Sequence, residues 1–235
     1  LIDCSASMAA TDTETGKTRL DLAKERVTDL IDNMLPDQQF SLVAVSSTAR
    51  RLTAFTDNQR VLRKALANLT VDDVPSQLED ALRMTQALSR TAPIKTVLFY
   101  SDGNFPREVN FELPFDLNFQ LLPAAGANMG ITSFNARRNQ AGNWDVFIRI
   151  ENSKQADSSA KVELIQDGTS VAEEEIVLGS GDSQRLEFSI AADKESQLEA
   201  ILKPGSKDSL ASDNRAFLTI PPSRSLLVYI DPELA

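Results

Sequence analysis

The sequence predicts an α/β domain built on a mostly parallel sheet with helices on both faces, followed by an all-β domain. Three observations carry that reading. Over about the first 120 residues, short apolar runs alternate with helical apolar stripes, the pattern of strands joined by crossover helices. Further along, helical period gives way to about seven short runs of period-two alternation. Between the two regimes, Ala124 to Gly130 is small and Gly-rich and marks a boundary. At 235 residues, 42% of them hydrophobic, the chain has enough apolar material for two cores.

Leu1-Ile2 reads as the tail of a buried strand whose beginning precedes the sequence, so the chain is expected to be a piece of a longer protein. Thr11 to Thr18 is polar, and Thr18 is placed to cap a helix. That helix carries Leu20, Ala23, Val27, Leu30, Ile31 and Met34 at helical spacing, with Pro36 just past its end. Phe40 to Val45 suits a strand buried on both faces, and Arg51 to Phe55 a second strand at an edge. Asp57 is placed to cap a helix carrying Val61, Leu62, Ala65, Leu66 and Leu69. Ser76 is placed to cap the next helix, with Glu79 as its capping-box partner and Pro93 as its limit. Thr96 to Tyr100 predicts a central strand ending in Ser101-Asp102-Gly103, where open α/β sheets hold their ligands. Asn118 to Leu122 reads as the last strand of this domain.

In the second half, Trp144, Val146, Ile148 and Ile150 share one strand face, with Trp144 as a core anchor. Val162 and Leu164 follow, and Asp167-Gly168 signals a hairpin turn. Ile176 and Leu178, then Leu186, Phe188 and Ile190, then Leu198, Ala200 and Leu202, and finally Ala216 to Ile220 continue the alternation. This spacing predicts an antiparallel, immunoglobulin-like β-sandwich. Asp208, Asp213 and Asn214 read as turn residues, because no loop spacing supports a calcium site. Pro221-Pro222-Ser223 suits a stiff linker, and Leu226 to Ile230 the opening strand of a further domain. The expected organisation is residues 1–124 for the α/β domain with its first strand truncated, 125–221 for the sandwich, and 222–235 for the linker and the start of a further domain.

A formal charge of −10 argues against a nucleic-acid surface and against bulk-charge attraction to anionic lipid. One cysteine, Cys4, excludes an internal disulfide and reads as a small buried side chain. With no histidine, Ser-His-Asp and Cys-His mechanisms, histidine zinc sites and the usual general base are all excluded. No apolar run is long enough to span a bilayer. Thr15-Gly16-Lys17-Thr18 has the strand-to-helix context of a phosphate-binding loop. The full pattern needs a glycine where Thr11 stands, and Asp12 and Glu14 would set negative charge beside the phosphates. An exposed polar loop is the simpler reading, and no enzyme is expected.

The chemistry-bearing pattern is Asp3-Cys4-Ser5-Ala6-Ser7, then Ser76, then Asp102. All three segments are expected in loops that gather at one edge of a parallel sheet. Asp3, Ser5, Ser7, Ser76 and Asp102 offer hard oxygen donors, suited to a hard divalent cation. Each has a plainer reading taken singly: a turn residue for Asp3 or Asp102, a helix cap for Ser76. Together, in this order and spacing, they resemble the metal-ion-dependent adhesion site of von Willebrand factor A (vWA) domains.

The resemblance implies a Rossmann-like vWA fold over residues 1–124 and a bound Mg2+ or Mn2+. Ser5, Ser7 and Ser76 would be direct ligands, with Asp3 and Asp102 close by through water. It also implies an open metal position for a Glu or Asp carboxylate of a partner protein. Ser76 stands where the family usually has Thr; the hydroxyl is kept, so altered affinity rather than loss is implied. The order vWA, sandwich, linker, together with Asn128-Met129-Gly130-Ile131-Thr132 and Ser209-Leu210-Ala211-Ser212-Asp213-Asn214, resembles bacterial membrane-anchored vWA proteins related to BatA. That implies a membrane-associated full-length protein, touching the membrane only through segments outside this sequence. The leading expectation is a metal-dependent protein-binding module. The alternatives are a structural scaffold with a vestigial metal site and, less favoured, a nucleotide-binding enzyme.

Overall fold

The computed structural model describes residues 1–105, 112–122 and 126–222. It divides into two compact units, Leu1–Gly126 and Ala127–Ala235. The expected strand at Leu226 to Ile230 lies outside the described residues.

The first unit runs β1 (Ile2–Asp3), α1 (Arg19–Asp32), β2 (Val43–Val45), β3 (Ala49–Arg51), α2 (Gln59–Ala67), α3 (Leu78–Ser89), β4 (Thr96–Ser101) and β5 (Asp116–Leu121). The sheet order is β3-β2-β1-β4-β5. β1 is parallel to β2 and β4, and β4 is parallel to β5. The β2–β3 hairpin is antiparallel, which gives a mixed sheet with β3 at one edge.

Helices cover both faces of this sheet. On one face Ile2 and Ala44 pack with Leu20, Ala23, Val27 and Ile31 of α1 and with Leu62 and Leu66 of α2. On the other, Val45, Val97 and Phe99 pack with Leu78, Ala81 and Leu82 of α3. Strands buried on both faces must be apolar almost throughout, which is why β2 and β4 carry no alternation.

Local chemistry sets the helix starts. The Thr18 hydroxyl accepts from the Asp21 N–H and caps α1. The cap of α2 is Asn58, not Asp57: its Oδ1 accepts from the N–H groups of Arg60 and Val61. Ser76 does not cap α3. Gln77 holds that position without a side-chain cap, and the expected box with Glu79 is not formed; Glu79 pairs with Arg83 instead. The second strand lies at Ala49–Arg51 rather than Arg51 to Phe55. Beyond it, Leu52 and Thr53 both donate to the Leu42 carbonyl, which ends the regular ladder.

Among its described residues the second unit has seven strands: β6 (Met129–Arg138), β7 (Trp144–Asn152), β8 (Ser158–Gln166), β9 (Thr169–Leu178), β10 (Ser183–Ile190), β11 (Ser196–Pro204) and β12 (Arg215–Ile220). They form two sheets, β10-β7-β6 and β12-β11-β8-β9, antiparallel throughout. Alternate residues of both sheets meet in one core that includes Val146, Ile148 and Ile150 from β7, Val162 and Leu164 from β8, and Leu198, Ala200 and Leu202 from β11. Trp144 is buried in it. Asp167 and Gly168, at φ 50° and 81°, turn β8 into β9 with the two successive positive φ values of a type I′ hairpin.

Asp208, Asp213 and Asn214 do more than turn the chain. Asn128 donates to Asp213 Oδ2 at 2.8 Å, the Met129 N–H to Asp208 Oδ1 at 3.0 Å, and Asn214 to Asp208 Oδ2 at 2.6 Å. Gly130 is pressed against this clip: a Cβ there would stand 2.2 Å from Asp213 Oδ2. The two stretches picked out in the sequence, 128–132 and 209–214, thus hold each other. Among the described residues no helix is long and apolar enough to cross a membrane.

Candidate metal centre at the carboxyl edge of the first sheet

β1 ends at Asp3 and β4 at Ser101, and the register that sets Ile2 beside Tyr100 brings these two ends level. Asp3 is fully buried, and both of its oxygens are occupied. Oδ1 accepts from the Ser5 N–H at 3.0 Å, and Oδ2 from the Ser101 hydroxyl at 2.6 Å. Burial pushes the Asp3 carboxyl above the usual range, and the nearby Asp102 charge adds to the rise. The hydrogen bonds from Ser101 and Ser5 pull the other way. Two acidic side chains thus share a dry corner, an arrangement that favours a compensating cation.

After Asp3 the chain enters a short 3-10 turn at Ala6–Ala9. Ser5 is buried, and its hydroxyl lies 3.4 Å from that of Ser7. The second loop is stitched to the first by backbone bonds: Ala6 N–H to Val74 carbonyl at 3.0 Å, and Asp72 N–H to Cys4 carbonyl at 2.7 Å. The Gln77 N–H donates to the Ser46 carbonyl at 2.8 Å, tying the same loop to the end of β2. Ser76 sits within this stitched segment. It is 1% exposed, and its hydroxyl has no hydrogen-bond partner among the described residues. Cys4 is buried beneath the loop, and that burial pushes its thiol up to about 12.

The third loop brings Asp102, whose side chain is 1% exposed. Its Oδ1 accepts from the Asn104 N–H at 3.0 Å, and its Oδ2 pairs with Arg19. Gly103, at φ +86°, turns the chain away directly after it. Asp3, Ser5, Ser7, Ser76 and Asp102 therefore all lie on three loops joined at one sheet edge. Asp3 meets Ser5 directly and the Ser5 and Ser7 hydroxyls meet each other. Ser76 is joined to them only through backbone.

Sequence reasoning missed three residues here. Ser101 orients Asp3; it was visible only as the first letter of Ser-Asp-Gly. Arg19 and Asp12 were not singled out as partners, since nothing in their spacing of seven shows that they meet. Arg19 forks onto Asp12, with Nε 2.8 Å from Oδ1 and Nη2 2.6 Å from Oδ2, while its Nη1 serves Asp102 and, at 3.3 Å, the Ser7 carbonyl. Burial would push the Asp12 carboxyl up, but the Arg19 fork and charge outweigh it and hold it below the usual range.

The donor set fits a hard cation: hydroxyls and carboxylates, with the one thiol held protonated. Among the described residues, no three His, Cys, Asp or Glu side chains group as a metal site. Any ion here would thus depend on the serine hydroxyls. The phosphate-loop rival gains no support in its geometry. Lys17 is half-exposed and paired with Glu25, and Thr18 is engaged as the cap of α1.

Residues 1–104 match the family model of the von Willebrand factor type A domain. No curated protein matches the chain. Among solved structures, it is similar to an aerotolerance-related membrane protein from Bacteroides fragilis, at 17% identity and a TM-score of 0.43, over 62% of this chain and 77% of that one. It is also similar to the conserved hypothetical protein BatB from Bacteroides thetaiotaomicron, at 15% identity and a TM-score of 0.43, over 62% and 76%. The CARDB domain of PF1109 from Pyrococcus furiosus is similar at 14% identity and a TM-score of 0.35, over 42% and 88%. The family match and the arrangement of strands, helices and loops agree on one identification: residues 1–104 are a von Willebrand factor type A domain.

Proposed function

We propose that the first unit is a protein-binding module that holds Mg2+ or Mn2+ at Asp3, Ser5, Ser7, Ser76 and Asp102 and takes a Glu or Asp carboxylate of a partner protein. The observation that carries this reading is the Ser76 hydroxyl, buried and without a partner among the described residues. Leaving such a group unsatisfied costs about 1–3 kcal/mol, and ligation to a cation would remove that cost. When bound, the ion would offset the two buried carboxylates and offer a coordination position to an outside oxygen.

The chain's own residues do the rest. Ser101 and the Ser5 N–H fix the Asp3 carboxylate. The backbone bonds between loop 72–77 and loop 4–7 tie the segment that carries Ser76 to the one that carries Ser5 and Ser7 without a metal's help. These are binding and orienting roles, which is why the reading is of attachment rather than turnover. The second unit we read as an immunoglobulin-like sandwich within a larger, membrane-anchored protein. Its anchoring rests on the sequence resemblance alone.

Calorimetric titration with Mn2+ tests the site, and affinity capture from the host's own extract in Mg2+ or in EDTA tests the attachment. The wild type is expected to bind Mn2+, and Asp3→Ala and Ser5→Ala to lose both the ion and any Mg2+-dependent partner. A wild type that ignores millimolar Mn2+ would end the proposal. It would favour the second reading, a scaffold whose metal site is vestigial. One observation supports that alternative: Arg19 already gives Asp102 a positive partner.

A further inference from the structure

We propose that Arg19 is a built-in competitor at this edge: its guanidinium holds the Asp102 carboxylate against a divalent ion and thereby sets how tightly the ion is bound. The inference rests on the metal reading above, and its test separates the two.

Arg19 is the first residue of α1, and its N–H donates to the Ala10 carbonyl at 3.0 Å, so its backbone is fixed beside the first loop. Its side chain is only 13% exposed, and the carboxylates it bridges, Asp12 and Asp102, are each 1% exposed. The two-pronged bond to Asp12 uses Nε and Nη2. Such a fork sets the plane of the guanidinium, so the remaining nitrogen, Nη1, is aimed rather than free. It is aimed at Asp102 Oδ2 and the Ser7 carbonyl, between two of the three loops that supply the metal donors. Asp12 is thus a positioning residue for Arg19, held in turn by the Gly126 N–H at 3.4 Å.

The charges give the direction. Asp3, Asp12 and Asp102 supply up to three negative charges, and Arg19 supplies one positive charge that it keeps at every working pH. A divalent ion arriving beside Asp102 meets that fixed charge in a corner screened little by water. It must also share or displace an ion pair already made. Both effects weaken its binding. Neutralising Arg19 removes the repulsion and releases Asp102 Oδ2 as an acceptor. Across a few ångströms of partly buried protein, one unit charge is enough to change the affinity of a divalent ion about tenfold or more.

The experiment is a Mn2+ titration, by calorimetry or by loss of the free-ion paramagnetic resonance signal. It uses wild type, Arg19→Gln, Arg19→Met and, as a site control, Ser5→Ala. Circular dichroism verifies that each variant is folded. Any neutral variant that folds is expected to bind Mn2+ about tenfold or more tightly than wild type, while Ser5→Ala binds none. Equal or weaker binding in a folded neutral variant, with Ser5→Ala still inert, would overturn the role of Arg19 and leave the metal site standing. No binding in any of them would overturn both. A measurement on the wild type alone covers variants that do not fold. The Arg19 side-chain N–H resonances are expected to shift as Mg2+ saturates the protein; resonances unmoved at saturation would sink the competition.

Discussion

Ser76 is the residue at which stability and binding should part company. A hydroxyl kept for the fold would have a partner, whereas this one is buried without one among the described residues. Ser76→Ala is therefore expected to leave metal-free stability unchanged or raised by up to about 1 kcal/mol, read from urea unfolding in EDTA. The same variant should lose Mn2+ affinity in a titration, and Ser76→Thr should keep it. A destabilised Ala variant with normal Mn2+ binding would make the hydroxyl structural. A second residue gives a pH signature in the other unit. Burial, and then the Asp208 charge, raise the Asp213 carboxyl to about 6 against the opposing bond from Asn128. A raised acid favours the protonated fold, so its contribution is complete below about pH 4 and fades as pH climbs through about 6. Asp213→Asn is expected to melt like wild type near pH 4 and to exceed it by about 1–2 kcal/mol at pH 7.5. A gap that is constant across pH would refute the assignment. That the loops carrying Asp3, Ser5, Ser7 and Asp102 follow strands of one sheet was legible in the sequence, because apolar runs that end in Asp or Ser form a pattern. Ser101 and Arg19 were not, because their roles exist only once distant loops touch.

At the level of elements, period and breakers carried most of the information; the Thr18 cap was legible, whereas the starts of α2 and α3 and the β6 bulge escaped. The α1 stripe of Leu20, Ala23, Val27 and Ile31 is the buried face of the helix, because 3.6-residue spacing leaves a sequence little other use for it. The start of α2 was misjudged by one residue. Asp57 and Asn58 are both good caps, and only the backbone decides which side chain faces the open N–H groups. That choice is testable. Asn58→Ala is expected to cost about 1 kcal/mol and Asp57→Ala close to nothing, compared by chemical denaturation; the reverse ranking would return the cap to Asp57. β6 went unread as a strand for a different reason. Its register slips between Ile131 and Ser133, so the in-and-out alternation that marked β7 breaks in mid-strand. Asp208, Asp213 and Asn214 read as turn residues because no local spacing ties them to anything else. The clip of Asn128, Asp208 and Asp213 is a long-range pairing that no local window shows.

For the whole molecule, the legible part was the change of architecture, since a helical period and a period-two alternation exclude each other over the same stretch. The illegible part was what the −10 charge does locally. Acidic residues are spread along the chain, yet at the carboxyl edge of the first sheet the side chains of Asp3 and Asp102 are buried, and Asp102 is answered by Arg19. This contrast between units leads to a prediction. All five proposed ligands belong to Leu1–Gly126, and the second unit has a core of its own. A ligand that binds one folded unit stabilises that unit by RT ln(1 + [L]/Kd) and leaves the other where it was. Scanning calorimetry of the whole chain is therefore expected to resolve two transitions. Mg2+ at about a hundred times its dissociation constant should raise the stability of one by about 2.7 kcal/mol and leave the other in place. EDTA should undo the shift, and Ser5→Ala should never show it. Asp213→Asn at pH 7.5 should move only the transition that ignores the metal, which identifies each peak independently. A single transition that rises as a whole with Mg2+ would mean that the two units unfold as one, and a pair of peaks both indifferent to Mg2+ would return the first unit to a purely structural role.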